Sequence, residues 1–303
     1  MFRENLVSME EVRLDDYFEF LKSFESVKIG GVEIPLSTKG SVDDYGPQDF
    51  ELECTSVWSF PKRGTWATHK GNYRGNWAPE LPRNILMRYS KPGDLVLDQM
   101  MGGGTTLVES KILSRNAVGV DVNPDAVMLS RSRLDFPFKT GQNLPETKQK
   151  TYKGDARNLD KIEDASIDLI ATHPPYGNII SYSDKRISGD LSAIDDLSDY
   201  VEEMRKVADE AYRVLKPGKY CAVLMGDTRK NKHYVPVAQR VMERFLNAGF
   251  VLKEDIIKRQ WRCKTTGFWV EKSRNHNFLL IMHEHLYIFR KPEDEEDARK
   301  YLF

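Results

Sequence analysis

The run Asp98-Gln-Met-Met-Gly102-Gly-Gly104-Thr105-Thr106 joins two different hydrophobic patterns. Before it, residues 94–98 (Asp-Leu-Val-Leu-Asp) read as a short apolar strand after the turn Lys91-Pro92-Gly93. After it, residues 105–113 carry helical spacing. Glycines let a backbone turn tightly and come close to a ligand. The first turn of the following helix offers unpaired N–H groups to an acidic moiety. The run is neither a dinucleotide loop, which wants GxGxxG, nor a P-loop, which wants Lys-Ser/Thr after its last glycine.

Outward from this loop the alternation continues. Residues 117–121 and 167–172 read as strands, and 124–134 as a helix with Pro124 in its first turn. Residues 198–215 read as a helix closed by Lys216-Pro217-Gly218, followed by a strand at 220–225 and a helix at 235–248. Residues 250–257 and 278–290 are extended, and with no helix expected between them they should pair antiparallel. Such alternation predicts an α/β fold: a doubly wound, mostly parallel sheet, covered on both faces, with an antiparallel last strand. Upstream, residues 9–24 have near-helical apolar spacing, and 26–36 read as a hairpin around Gly30-Gly31. The expected organisation is an N-terminal elaboration (1–56), a main domain (57–292) and a charged tail (293–303).

Composition bounds the function. The chain has 303 residues, 40% hydrophobic and 30% charged, with mean hydropathy −0.55. No apolar run approaches the roughly 20 residues that span a bilayer. The acidic N-terminus has no secretory core, so a cytoplasmic location is expected. Cys54, Cys221 and Cys263 are too far apart for a CxxC metal ribbon or a disulfide framework. Net charge is −1 but unevenly spread: 13 acids and 5 bases in residues 1–54, and +5 in each of 61–90 and 258–276. Trp261, Phe268 and Trp269 interleave with the bases of the last stretch, a composition that suits phosphates and unstacked bases.

Three aspartates stand at successive strand ends: Asp98, Asp121 and Asp155. Any one alone reads as a helix cap or turn former. Together they read as a nucleoside site, with Asp121 placed for ribose hydroxyls and Asp155 for an adenine amino group. At this point Asp98-x3-Gly102-x-Gly104-Thr105-Thr106 followed by Gly119-Val-Asp121-Val-Asn-Pro resembles the S-adenosylmethionine site of the amino-group DNA methyltransferases. The stretch from His69 to Pro79 resembles the segment that closes over the methionine end of that cofactor, with Lys70 and Gly71 at the family's contacting positions. The resemblance covers roughly residues 57–292. It implies that Gly102, Gly104, Thr105 and Thr106 hold the methionine moiety, Asp121 the ribose and Asp155 the adenine edge.

Thr172-His173-Pro174-Pro175-Tyr176-Gly177 follows the strand at 167–172. Two prolines after a strand are by themselves a stop signal. Beside the cofactor motif they resemble the [Asp/Asn/Ser]-Pro-Pro-Tyr element of enzymes that methylate exocyclic base nitrogens. That nitrogen is a poor nucleophile because its lone pair is delocalised into the ring. Acceptors on its hydrogens, a side chain at the first position and the Pro174 carbonyl, favour attack in line on the sulfonium methyl. Proline at 174 and 175 fixes the carbonyl, and Tyr176 offers a face to a base rotated out of the duplex. His173 departs from the pattern: only a neutral imidazole has an acceptor, and it has one. The expectation is that a bare ring nitrogen of His173 does the work.

No separate recognition domain is apparent, so target reading is expected from residues 178–197, from 229–233 and from the basic aromatic stretch, with Lys258, Arg259, Trp261, Arg262 and Lys264 contacting nucleic acid. His283-Glu284-His285 is not HExxH, and no metal is expected. The resemblance implies a DNA methyltransferase acting on cytosine N4 or adenine N6, with a cognate restriction endonuclease as a partner. An RNA guanine-N2 methyltransferase, which also carries Pro-Pro-Tyr-Gly, and a binding module that has lost catalysis are the alternatives.

Overall fold

The computed structural model describes residues 6–37, 41–73, 75–138, 144–177, 187–261 and 266–301. In chain order these form β1 (Glu10–Val12), α1 (Leu14–Leu21), β2 (Ser26–Ile29), β3 (Val32–Pro35), β4 (Val57–Ser59), α2 (Glu80–Tyr89), β5 (Leu95–Asp98), α3 (Thr105–Ile112), β6 (Asn116–Asp121), α4 (Pro124–Leu134), β7 (Gln149–Lys153) and β8 (Ile167–Thr172). There follow α5 (Leu197–Val214), β9 (Leu215–Met225), β10 (Thr228–Lys230), β11 (His233–Val235), α6 (Val237–Asn247), β12 (Val251–Arg259), α7 (Thr266–Asn275) and β13 (His283–Arg290).

Nine strands make one sheet in the order β1-β7-β6-β5-β8-β9-β13-β12-β4. From β7 to β9 every pairing is parallel. β13 runs antiparallel to both β9 and β12. The α/β architecture with an antiparallel last strand is therefore as the alternation predicts. β6 and β7 lie on one side of β5, and β8 and β9 on the other. The loops after β5 and β8 thus leave in opposite directions and open a crevice at the strands' carboxyl ends, the usual ligand position in such sheets.

β8 is buried along its whole length, as a central strand covered on both faces must be. On one face α2 packs Leu81, Ile85 and Leu86 against Val96, Leu169, Leu224 and Leu286. On the other, α5 and α6 cover Ile170, Cys221 and Val223, and Phe245 stacks on Phe289 at 4.9 Å between centroids. α4 starts where Asn123 accepts the Asp125 N–H (3.0 Å) and Pro124 supplies a ready φ. α5 starts likewise at Asp196, which accepts from the N–H groups of Ser198 and Asp199.

Three local expectations are corrected. Residues 10–12 are not helical: Glu10 pairs with Lys153 and Val12 with Thr151 at the sheet edge, and Met9 is buried beside them. Sheet pairing and burial override the helical spacing there, and α1 begins only after Arg13, whose N–H is taken by Asp16 (2.7 Å). The turn expected at 216–218 is instead carried inside β9, with a shift of register against β8. And α7 stands between β12 and β13, although these strands do pair antiparallel. Its apolar residues cluster at 268–270 instead of recurring every three to four positions, so periodicity did not mark it. The hairpin β2–β3 forms as expected and packs Val27, Ile29 and Ile34 on Ala126 and Leu129 of α4.

Candidate active site

The crevice holds a cavity, the concave setting in which small molecules bind. Asp98, Met100, Gly102, Asp121, Asp155, His173 and Pro175 line it, with Tyr73, Gly75, Asn76 and Trp77 from the segment before α2. Cofactor-loop and catalytic-loop residues therefore face one space.

The glycine loop is shaped from behind. Gly102 has φ +48° and a Cβ there would meet the Tyr73 ring at 3.0 Å. Gly104 caps α3 with φ +76°, and a Cβ would meet Ser130 Oγ at 2.8 Å. Arg133, pushed down to about 10 by burial, donates to the Gly103 carbonyl (2.8 Å) and to Asn72 (3.0 Å). The Thr106 hydroxyl donates to Asp98 Oδ2 (2.6 Å), and Thr105 is hydrogen-bonded to the Asn76 amide. Thr105, Thr106 and Gly104 thus build the wall without lining the cavity.

The carboxylates are strongly perturbed. Asp98 is raised to about 6 and Asp121 to about 7, in both cases because burial penalises the charged form more than the nearby donors repay. Asp121 accepts one N–H on each oxygen, from Gly102 and Asn123 (both 2.9 Å). Asp155 is already engaged: Arg157 donates to both its oxygens (2.8 and 2.5 Å). Its contribution to an adenine edge would come from an ion-paired carboxylate.

Two residues of the closing segment lie off the cavity. Lys70 is exposed and Gly71 lies against Arg63, and neither lines the cavity. The same segment instead presents Tyr73, Gly75, Asn76 and Trp77. A buried network that sequence reading missed holds it there. Glu109 of α3 accepts from Trp66 Nε1 (2.6 Å) and Arg83 (3.1 Å), and lies 2.7 Å from His69 Nε2. Burial lowers the pKa of His69. A Glu in an apolar helix pattern gives no local sign of such partners.

At the catalytic loop, His173 stacks on Trp77 (centroids 5.8 Å apart). Burial first, and then Lys258, push it down to about 4, against the opposing pull of Glu284 and a backbone hydrogen bond with Gly75. It is neutral at physiological pH. His173 Nε2 lies 2.6 Å from the Tyr176 hydroxyl, which donates to Glu284 Oε1 (2.9 Å). Lys258 donates to Glu284 Oε2 (2.6 Å). Gly226 makes room for Tyr176, since a Cβ there would sit 2.5 Å from its ring. The Tyr200 hydroxyl donates to the Pro175 carbonyl, and no donor among the described residues takes that of Pro174.

The recognition candidates divide. Lys258 is not a free phosphate contact, because it is spent on Glu284, its cross-strand partner. Arg259 and Trp261 do reach the surface, the guanidinium 4.2 Å from the ring centroid. Arg262, Lys264 and residues 178–186 lie outside the described residues. The described end of the 178–197 segment faces inward: Gly189, Asp190 and Leu191 line the cofactor cavity. α7 exposes Phe268 and Trp269, with Lys272 Nζ 4.2 Å from the Phe268 centroid. Asp227, His283 and His285 bring donor atoms within 4.8 Å of one another. His285 lies between Asp255 (3.0 Å) and Asp227 (3.7 Å), and its hydrogen bond to Asp255 raises its pKa.

A doubly wound sheet of this order, with acidic groups at three strand ends and a proline hook beside them, defines a class: the S-adenosylmethionine-dependent methyltransferases. Within it, the chain belongs to the N6/N4 DNA methylase family, whose model matches residues 21–132 and 167–302. It is 27% identical over 170 residues to the Type II methyltransferase M.MjaI of Methanocaldococcus jannaschii, covering 48% of this chain and 56% of that protein. It is 25% identical over 145 residues to the DNA adenine methyltransferase YhdJ of Escherichia coli (46% and 49%). A tRNA (guanine(10)-N2)-dimethyltransferase of Methanothermobacter thermautotrophicus is 32% identical over 106 residues (35% and 29%). The chain thus spans about half, or less, of these relatives. Among solved structures, a methyltransferase of Methanosarcina mazei matches with TM-score 0.47 at 15% identity (69% and 98% covered). A Haemonchus contortus phosphoethanolamine N-methyltransferase, crystallised with S-adenosylhomocysteine, matches with TM-score 0.43 at 13% identity (70% and 52%).

S-adenosylmethionine is the cofactor of this family, and the residues present fit it. Gly102 leaves a cradle that a Cβ would close against Tyr73, and the cavity wall supplies carboxylate acceptors to a cationic ligand rich in hydroxyl and amino donors.

Proposed function

We propose that this protein methylates an exocyclic amino nitrogen, cytosine N4 or adenine N6, of a base rotated out of DNA. The observation that carries the reading is that His173 and Pro175 line the same cavity as Gly102 and Asp121. When bound, S-adenosylmethionine supplies an electrophilic methyl group. Asp121 accepts from ribose hydroxyls, and Asp98 with the Gly102 turn bounds the methionine end. The wall at Trp77 excludes water. A bare nitrogen of neutral His173 and the Pro174 carbonyl accept the two hydrogens of the target amino group. This directs its lone pair at the methyl, and positioning with acceptor electrostatics supplies most of the rate.

Arg259, Trp261 and α7 form the side from which DNA approaches, and a cognate restriction endonuclease acting in the same compartment, the cytoplasm, belongs to the same proposal. No helix among the described residues is long and apolar enough to cross a membrane. The alternative substrate is RNA, favoured by the partial match to the tRNA enzyme. Incubation with labelled cofactor and either nucleic acid, followed by nucleoside mass spectrometry, tests both. The proposal expects methylated cytosine or adenine from DNA, and label confined to RNA guanine would overturn it.

A further inference from the structure

HExxH brings two histidines together on a helix. On a strand His-x-His does the same, because alternate side chains share a face. His283 and His285 open β13 with that spacing, and Glu284 between them points the other way, to Tyr176 and Lys258. We propose that His283, His285 and Asp227 bind a divalent transition ion of the zinc class, at a site apart from the residues that line the methyl-transfer cavity.

Sheet register builds the site. β13 pairs antiparallel with β9, His285 opposite Met225. Continued past the end of β9, that register brings Asp227 opposite His283. The donor atoms of the three residues lie within 4.8 Å of one another. His285 Nε2 is 3.7 Å from Asp227 Oδ2. A charge-assisted hydrogen bond would be about 2.8 Å long. Two ligands of one tetrahedral zinc, each about 2.1 Å from the metal, stand about 3.4 Å apart. The observed spacing is nearer the second.

The ligands are also held from behind. His285 Nδ1 lies 3.0 Å from Asp255 Oδ1. A carboxylate on the far nitrogen of a metal-binding histidine fixes the ring and makes the near nitrogen a better donor. Tyr287 stacks on the same ring at 5.5 Å between centroids. Asp227 Oδ1 accepts the Ala238 N–H (2.8 Å), and its Oδ2 accepts from the Tyr234 hydroxyl. The Asp227 side chain is buried and both histidines are partly exposed, so an ion has a way in. A protonated His285 would answer both aspartates without an ion, but it gives His283 no part. The His283 ring stands edge-on to His285, 5.3 Å between centroids, and makes no hydrogen bond among the described residues. Two imidazoles and a carboxylate suit zinc and its neighbours, whereas magnesium and calcium take oxygen ligands.

The role is structural. The ion ties the start of β13 to the root of the β10–β11 hairpin and, through Ala238, to α6. Arg229 of that hairpin donates to the Leu279 carbonyl and lies 5.3 Å from the Phe278 ring centroid, in the segment that joins α7 to β13. The clamp therefore braces the side that carries α7.

The test uses the full-length protein without a histidine tag, stripped with a chelator and titrated with zinc chloride in a calorimeter. One ion should bind per chain. Cobalt in its place should give the strong visible absorption of a tetrahedral centre. The thermal midpoint should rise with free zinc, since an ion held only by the folded chain stabilises it. Asp255→Asn removes a support and should weaken zinc by roughly 10–100-fold. His283→Gln and Asp227→Asn each remove a ligand and should cost more than that, with loss of the cobalt bands and of the thermal shift. His276→Gln, outside the cluster, should change nothing. Circular dichroism reports that each variant is folded, and if Asp227→Asn is not, His283→Gln decides alone. Unaltered zinc affinity in His283→Gln overturns the site, as does the weak spectrum of octahedral cobalt in the unmodified protein. A folded protein that binds no zinc overturns it too, and leaves His285 as a protonated bridge between Asp227 and Asp255. Methyl transfer is not read, so the outcome is independent of the proposed function.

Discussion

In the proposed mechanism His173 is the residue on which the chemistry turns. An ordinary histidine would lose its acceptor near pH 6.5, but here the ring stays neutral down to about 4. With saturating cofactor, kcat should therefore not fall between pH 8 and pH 5.5, and a stopped-time methyl-transfer assay in a constant-ionic-strength buffer series checks this. His173→Ala should reduce transfer by at least 10², within the range of a positioned proton acceptor, with cofactor binding intact. A purified variant with an undiminished rate would remove His173 from the mechanism. Asp98 and Asp121 predict a different dependence. Their folded values of about 6 and 7 leave them partly protonated near pH 6.5 in the cofactor-free protein. A cationic ligand whose hydroxyls donate to them favours the carboxylates, so binding releases protons and affinity rises as pH increases through about 7. Calorimetry at pH 6.5 in buffers of different ionisation enthalpy should show that release, and proton uptake would contradict it.

Elements decide which of these residues can meet. The loop after β5 and the loop after β8 diverge from adjacent strands, which places Gly102 and His173 on one cavity. Gly102→Ala forces a side chain into φ +48° and against Tyr73. It should weaken S-adenosylmethionine binding at least tenfold in calorimetry while circular dichroism stays native. Glu109 ties α3 to the closing segment through Trp66, His69 and Arg83. Its removal leaves a buried Arg83 unpaired, and Glu109→Ala should cost about 3–5 kcal/mol in denaturant unfolding.

Much of this level was legible in the sequence. The alternation of short apolar runs with helical spacing marked β5, α3, β6, α4, β8 and α5, because hydrophobic period is set locally. What the sequence hid depends on distant partners. The β1 strand takes its conformation from β7, and the closing segment is held through His69 by Glu109, 40 positions away. Lys258 looked like a surface base until β13 placed Glu284 opposite it. Local pattern cannot report such pairings.

For the whole molecule, charge is the organising quantity. A net charge of −1 gives no general attraction to a polyanion, so binding depends on the local basic side. Arg259 sits on Trp261 at that side, both exposed. Arg259→Ala should weaken DNA binding and reduce the slope of log affinity against log salt by about one. Fluorescence anisotropy across a salt series measures it, and an unchanged slope would mean this side faces away from the phosphates.

The most direct measurement is transfer of a labelled methyl group from S-adenosylmethionine to unmethylated DNA by the purified protein, followed by digestion to nucleosides and mass spectrometry. The account predicts label in N4-methylcytosine or N6-methyladenine, lost in His173→Ala. Cofactor that binds tightly while every DNA base stays unlabelled would contradict it.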